Sequence, residues 1–414
     1  MEAVGIIAEY NPFHNGHLHH LREAKKQSGA EAAVCVMSGN FTQRGEAALL
    51  DKWQRAELAV RCGLDLVIEL PLVFALRSAQ DFARGGVRLL SQLPAVKSLA
   101  FGTEHADLQL LHKISATAQA ASTQLLLQEN LKLGQPYAAA LAHAIERQCG
   151  VSENILKEPN TILSVEYLNA IKIFHAPLTP LPIERIVSHY ADSKITASLA
   201  SAKAIRCEIA AAVPDAMLLK SALPSPVCQT LHGLLNRPDR LPATEYLATA
   251  LLAKLRQMNY RQLQLLLGIT EGLEHKFLQA ALSATSLNDL LLQVKSKRYP
   301  QSRLQRLTLY ILLNFDKEAA AAFDDAGPLY ARVLGASQTG CRLLRELKKT
   351  ASLPIITKTT DFLDTGRRAS GGLNLLQQML AYDTYASDLY ALCFAKAQPA
   401  ARDFTTSPFI AKHT

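Results

Sequence analysis

The sequence has no charge-free apolar run of roughly 18 residues, the length a membrane-spanning helix needs, although 49% of its 414 residues are hydrophobic. A helical membrane span is therefore excluded, and the apolar content suffices for a large core in two or three domains. A signal-peptide pattern is also missing: the apolar stretch Ala3–Ala8 is short, and Glu9 interrupts it. No CxxC pair occurs among the seven scattered cysteines (Cys35, Cys62, Cys149, Cys207, Cys228, Cys341 and Cys393). That spacing suits neither a zinc site nor a disulfide frame, and it fits reduced thiols in a cytoplasmic protein. Internal repeats and low-complexity segments are absent. The first half carries no charge excess: residues 1–214 hold 20 Lys+Arg and 20 Asp+Glu, whereas residues 215–414 hold 24 and 16. The net charge of +8 thus lies entirely in the back half. It points either to a polyanion partner there or to a solvated basic surface.

What is present in the first half alternates between strand-like and helix-like segments. Ala3–Glu9, Ala32–Met37, Leu66–Leu70 and Val96–Phe101 read as buried parallel strands, each a near-continuous apolar run. Helical stretches His17–Gln27, Asp51–Cys62 and Phe74–Leu90 separate them. This order predicts an α/β fold with a doubly wound, Rossmann-like parallel sheet. Residues 105–175 read as a helical insertion, Leu178–Ile183 as a fifth strand at an edge, and Ser201–Ala212 as a helix. The prolines at 214, 224 and 226 suggest a boundary. The expectation is a domain over 1–213 and a mainly α-helical region over 214–414, helical through about Lys349. Pro354–Lys358 is then a candidate strand, and Leu373–Tyr382 and Tyr385–Ala395 are two candidate helices.

The strongest chemical signal is Gly5-Ile6-Ile7-Ala8-Glu9-Tyr10-Asn11-Pro12-Phe13-His14-Asn15-Gly16-His17, which continues into Leu18, His19 and His20. A buried strand delivers the chain to a loop, and the loop opens a helix. Free N–H groups at such a helix start attract phosphate. Gly16, without a Cβ, allows backbone to lie against a base or a phosphate. His14 and His17 can donate hydrogen bonds to charge developing on the phosphates in the transition state, and they are expected to matter little for folding. Zinc would want histidines at i, i+4 with a carboxylate nearby; His14, His17, His19 and His20 lack that pattern, so no metal site is expected. A second segment, Ser201-Ala202-Lys203-Ala204-Ile205-Arg206, offers another capped helix start with an arginine one turn in. Alone it reads equally as an ordinary surface helix; beside the first motif it reads as a second anion site.

Together, His14–His17 and Ser201–Arg206 resemble the HxGH nucleotidyltransferase superfamily related to class I aminoacyl-tRNA synthetases. Glu9–Gly16, Ser38–Glu46, Glu69–Leu72, Phe101–Glu104 and Pro159–Leu168 narrow the resemblance to the tRNA(Met) cytidine acetate ligases, more thinly continued by Tyr382–Leu392. That family implies a cytoplasmic enzyme that activates acetate with ATP and acetylates the wobble cytidine of elongator tRNA(Met). Mg2+ is expected as a counterion of the ATP phosphates, with no dedicated carboxylate site in the sequence. Carried over by position, the ATP site comprises Ile7–His20, Gly102, Asn160, Arg185 and Ser201, with His14, His17 and Arg206 catalytic. Lys203 departs from the threonine usual in the second motif, and Ile186–Tyr190 replaces a more glycine-rich stretch.

The loop Ser38–Glu46 follows the second strand. Ser38, Asn40 and Arg44 are candidates for an acetate site, against the alternative that a polar loop simply faces solvent. In the basic half, Lys295, Lys297, Arg298, Arg303 and Arg306 form one cluster, with Tyr299 interleaved. Arg342, Arg345, Lys348 and Lys349 form another at helical spacing, and Arg367-Arg368 sits in a Gly-containing loop. Such clusters position RNA by its phosphates. Two other readings share parts of this pattern: an adenylyltransferase making a nucleotide cofactor, and a non-catalytic tRNA-binding protein with a relic nucleotide fold. The charge split further predicts that residues 1–213 alone would bind ATP but bind tRNA poorly.

Overall fold

The computed structural model describes residues 1–135, 137–185, 194–195, 199–211, 213–235, 241–270 and 272–412. The chain builds one sheet from β1 (Ala3–Ala8), β2 (Ala32–Ser38), β3 (Leu66–Leu70), β4 (Val96–Thr103), β5 (Thr179–Glu184), β6 (Ala331–Ala336), β7 (Ile355–Ile356) and β8 (Phe409–Ile410). The strand order is β5-β4-β1-β2-β3-β6-β7, with β8 also paired to β6. Strands β1 to β5 are mutually parallel, as the expected doubly wound sheet requires. Successive side chains of a strand point to opposite faces, so the sheet feeds two cores. Ala32, Val34 and Val36 of β2 join one, and Ala33, Cys35 and Met37 join the other. Both faces are covered, which is why these strands read as unbroken apolar runs.

Four helices (Leu108–Gln119, Ala121–Lys132, Tyr137–Cys149 and Pro159–Ile173) occupy the stretch between β4 and β5, where the insertion was expected. β5 pairs only with β4 among the described strands; its Pro180 and Pro182 lack the N–H that an interior strand would need on both sides. No helix among the described residues is long and apolar enough to cross a membrane.

The back half is mainly helical, as expected, but one stretch within it is a strand. Ala331–Ala336 is a fully buried strand, antiparallel to β3, with Leu66 opposite Ala336 and Glu69 opposite Arg332. The boundary expected near residue 213 is therefore no break in the sheet, because β6, β7 and β8 extend it. Between lie helices such as Ala248–Gln257, Leu273–Ser283 and Gln301–Leu313. Phe74–Leu90 splits into Leu72–Ala75 and Ala79–Ser91, because Ser78 caps the second helix by accepting from Asp81 N. The two helices expected over 373–395 are one, Leu375–Tyr390. Arg367 and Arg368 lie in the short helix Thr365–Ser370, started by the Asp364 cap, and not in a loop.

Candidate active site

The loop after β1 ends at the helix Asn15–Ser28, whose N-cap is His14. Its Nδ1 accepts from Gly16 N at 3.0 Å, and Nδ1 of His17 accepts from His14 N at 3.3 Å. This is a capping box with imidazoles in place of the usual hydroxyl and carboxamide. Both Nδ1 atoms act as acceptors, so each neutral ring carries its proton on Nε2. The rings stack at 3.7 Å. Burial, and then the Arg185 and Arg206 charges, pushes His14 down to about 3. Burial and the neighbouring His14 and Arg185 charges lower His17 well below its ordinary range, and burial with Arg185 lowers His20 to about 4. At neutral pH these histidines are uncharged donors. The caps also give the pair a folding role that the sequence did not reveal.

Gly16 is required for a reason different from the expected one. A Cβ there would stand 2.8 Å from Cε1 and 3.0 Å from Nδ1 of His14. The missing side chain makes room for the His14 ring.

A cleft of about 380 Å³ opens at the carboxyl ends of β1, β4 and β5, the edge at which open α/β sheets bind ligands. Of the residues expected at the nucleotide, Ile7, Ala8, Glu9, Tyr10, Asn11, His14, Gly16, His17, His19 and His20 line it. Gly102, Asn160, Arg185, Ser201 and Arg206 line it too, with Lys203. Pro12, Phe13, Asn15 and Leu18 are not among the described lining residues. Phe13 is core, Asn15 donates to Ser221 O at 2.8 Å, and Leu18 packs on the same core as Phe13. Asn160 does not cap its helix. Glu104 does, accepting from Thr161 N at 2.8 Å and holding Asn160 Nδ2 at 2.6 Å. Ile186–Tyr190 lies outside the described residues. Phe82, Phe101, Leu163 and Tyr167, which sequence reading did not single out, supply an apolar wall suited to a base ring.

The second motif closes on the first. Ser201 caps the helix Ala202–Ile209 by accepting from Ala204 N at 3.0 Å. Arg206 donates to Asn11 O at 2.8 Å and lies 3.8 Å from Glu46.

Of the three acetate candidates, only Arg44 lines the cleft among the described residues, joined there by Thr42, Gln43 and Glu46. Ser38 and Asn40 are buried in the support behind the loop. Asn40 donates to Ser387 Oγ at 3.1 Å and accepts from Lys52 N at 2.7 Å. Polar loop residues can face a ligand or satisfy buried backbone, and here Asn40 does the second, through Lys52 N. Arg55, which sequence reading missed, is buried and donates to the carbonyls of Glu9, Ser38, Gly39 and Leu50. It ties the ends of β1 and β2 together. Glu9 in turn accepts from Gln43 N at 2.6 Å; burial raises its carboxyl above the usual range.

Behind the loop sits a buried charge cluster spanning both halves of the chain. Lys52 Nζ lies 2.8 Å from Glu69 and 3.0 Å from Asp403. Arg332 lies 3.2 Å from each of the same carboxylates. Nearby Asp383 accepts from Leu72 N at 2.7 Å and from the Tyr330 hydroxyl. Burial and then the Glu69 charge push Asp383 up to about 7. Thus Ser38–Asn40, Glu69 and Asp383, all within segments that carry the family resemblance, are support for the loop.

The basic clusters divide. Lys295, Lys297 and Arg298 are exposed, whereas Arg303 donates to Thr270 Oγ1 at 3.3 Å and Arg306 to Gln43 O at 3.1 Å. Arg342, Arg345, Lys348 and Lys349 are exposed on the helix Gln338–Thr350, whose Gly340, Leu343, Leu344 and Leu347 face inward. Arg368 pairs with Asp388 at 2.8 Å. Among the described residues, His143, Glu146 and Glu153 bring potential metal-ligand atoms within 4.8 Å of one another. They lie on the insertion and share nothing with the cleft.

Comparison with known proteins agrees with this geometry. Residues 1–404 match the family described as HIGH Nucleotidyl Transferase. The tRNA(Met) cytidine acetate ligase of Thermoanaerobacter sp. (strain X514) is 36% identical over 408 residues, 98% of each chain. The crystal structure of apo Thermotoga maritima TmcAL is similar with a TM-score of 0.89 and 32% identity over 99% of both chains. The same protein bound with alpha-thio ATP gives a TM-score of 0.87, 31% identity and the same coverage. Histidine turn, second motif and full-length matches converge: the chain belongs to the tRNA(Met) cytidine acetate ligase family, within the HIGH nucleotidyl transferases.

Proposed function

We propose that this chain activates acetate with ATP and transfers the acetyl group to the N4 amine of the wobble cytidine of elongator tRNA(Met). An acetate oxygen attacks the α-phosphorus of ATP, forming acetyl-adenylate and releasing pyrophosphate. The cytidine amine then attacks the acyl carbon, the bond from that carbon to the bridging oxygen breaks, AMP leaves with that oxygen, and the amine gives up one proton. The observation that carries this reading is the pair of neutral histidines whose Nδ1 atoms are held by backbone N–H groups. Their Nε2–H groups are preorganised donors that need no reorientation as charge builds on the phosphates. Arg185, Lys203 and Arg206 line the same cleft and suit the phosphates. Arg44 suits a carboxylate, the role first considered for Ser38 and Asn40 as well. Magnesium enters with ATP as part of the substrate, held by phosphate oxygens and water. The enzyme works in the cytoplasm with its tRNA, consistent with seven unpaired cysteines.

The test is incubation with ATP, labelled acetate and total tRNA, followed by nucleoside digestion. The expected label is in N4-acetylcytidine from tRNA(Met). Label in a small adenylylated cofactor, or in no nucleoside, would reject the reading.

A further inference from the structure

We propose that the RNA crosses the exposed segment Lys295–Arg298 on its way to the cleft, and that the basic face Arg342–Lys349 takes no part. This inference rests on the functional reading above and specifies where its macromolecular substrate lies.

The two basic surfaces sit at opposite edges of the sheet. The cap of the helix Gln338–Thr350, Ser337, donates its N–H to Asp65 O and its hydroxyl to Asp65 Oδ1, both at 2.8 Å. Asp65 immediately precedes β3. One turn before the helix end, Glu346 meets the Met1 amino group at 3.4 Å, two residues before β1. The cationic helix therefore follows the edge where β1 and β3 begin. The cleft lies where β1 ends, six residues further on, which is about 20 Å at roughly 3.3 Å per residue.

The other segment belongs to the cleft side. It leads through Pro300 into the helix Gln301–Leu313, and the first turns of that helix are fastened to the loop that carries Arg44. Arg306 donates to Gln43 O at 3.1 Å. Gly45, at φ +83, approaches so closely that a Cβ would stand 2.7 Å from Arg306 N. On its other flank the segment meets the insertion, where a Cβ on Gly134 would lie 4.0 Å from the Arg298 guanidinium. Lys295–Arg298 thus runs between the loop and the insertion, and both of those contribute lining to the cleft.

The cluster then separates by exposure. Arg303 stacks over the buried Tyr299 ring at 4.9 Å and donates to Thr270, while Arg306 is committed to Gln43. These two arginines brace the segment. Lys295, Lys297 and Arg298 present exposed cationic side chains beside the rim, in reach of the phosphates flanking a base that is turned into the cleft. Phosphate contacts of this kind position RNA without reading its sequence, and the single-stranded anticodon loop can splay out its target base.

The experiment compares two full-length variants, K295A/K297A/R298A and R342A/R345A/K348A/K349A, with wild type. Binding of an unmodified elongator tRNA(Met) transcript is measured from about 50 to 200 mM salt, and pyrophosphate release is measured with acetate and ATP but no RNA. The triple variant should flatten the slope of log affinity against log salt by about 2–3, at roughly 0.7–0.9 per lost contact. It should weaken binding about ten- to hundredfold near physiological salt, with pyrophosphate release intact. The quadruple variant should keep its slope and stay within about twofold of wild type. The proposal is overturned if the quadruple variant carries the loss, if neither variant changes, or if wild type releases pyrophosphate but does not bind the transcript. Loss of pyrophosphate release in the triple variant also overturns it, because the segment then supports the cleft. A wild type that binds the transcript but shows no acetate-dependent pyrophosphate release rejects the functional reading instead, and the binding comparison still decides the surface.

Discussion

Replacing His14 by Asn separates its two jobs. As the N-cap, His14 accepts from Gly16 N; Asn is among the preferred caps and can accept the same bond through Oδ1. What Asn cannot supply is an N–H at the reach of an imidazole Nε2. Losing one preorganised donor costs roughly 10²–10³ in rate, about 2.7–4 kcal/mol of transition-state stabilisation. H14N should therefore release pyrophosphate from ATP and acetate about 10²–10³-fold more slowly, with a melting temperature close to wild type. H14A removes cap and donor together, so it should show the same rate loss plus about 1 kcal/mol of lost stability. Steady-state pyrophosphate release and urea unfolding measure the two effects separately. H14N with wild-type turnover would refute the donor role, and H14A as stable as H14N would refute the cap.

Three further outcomes follow from the same geometry. Because the folded state keeps His14 neutral down to about 3, against an unfolded value near 6.5, its stabilisation is complete above pH 6.5 and is lost as pH falls toward 3. At pH 5 the loss is about 2 kcal/mol for this group, so stability measured by urea should fall between pH 7 and pH 5 less steeply in H14N than in wild type; equal slopes would contradict the depressed value. Lys52→Met leaves Glu69 and Asp403 with Arg332 as their remaining cation in the cluster, and should cost about 3–5 kcal/mol in urea unfolding; a loss under about 1 kcal/mol would mean that the cluster relaxes freely. A fragment of residues 1–213 should fail to bind ATP and should aggregate, because β3 loses β6 and the segment 38–48 loses the bonds of Gln43 to Arg306, Ala47 to Thr244 and Ala48 to Tyr390. A soluble fragment with full-strength ATP binding, assayed by calorimetry, would restore the expected division at residue 213.

The parallel strands and the histidine turn were legible because their signals are local. Strands buried on both faces must be apolar throughout, and a strand, loop and helix start in succession mark a phosphate site. β6 was not legible: Ala331–Ala336 is six residues long, stands between helices, and takes its register from β3 more than 250 residues earlier. A short apolar run has no period of its own to distinguish strand from helix. Ser38 and Asn40 misled because a polar side chain beside a cleft has two uses, and only the fold decides between them. Arg55 and Arg306 were invisible as supports for the opposite reason. On helices they look like solvated cations, yet their acceptors are backbone carbonyls of other segments, a partner that carries no sequence signature. Gly16 lines the cleft, but the group its missing Cβ makes room for is the His14 ring.

The central claim is that an acetate oxygen attacks the α-phosphorus of ATP at the histidine turn. It is tested most directly with acetate labelled with heavy oxygen in both carboxyl positions, incubated with ATP and tRNA, and mass analysis of the AMP produced. Attack at the α-phosphorus leaves one carboxyl oxygen bonded to that phosphorus when the amine takes the acyl group, so each AMP should carry one heavy oxygen and pyrophosphate none. Heavy oxygen in inorganic phosphate with ADP as product, or unlabelled AMP alongside acetylated tRNA, would contradict the account.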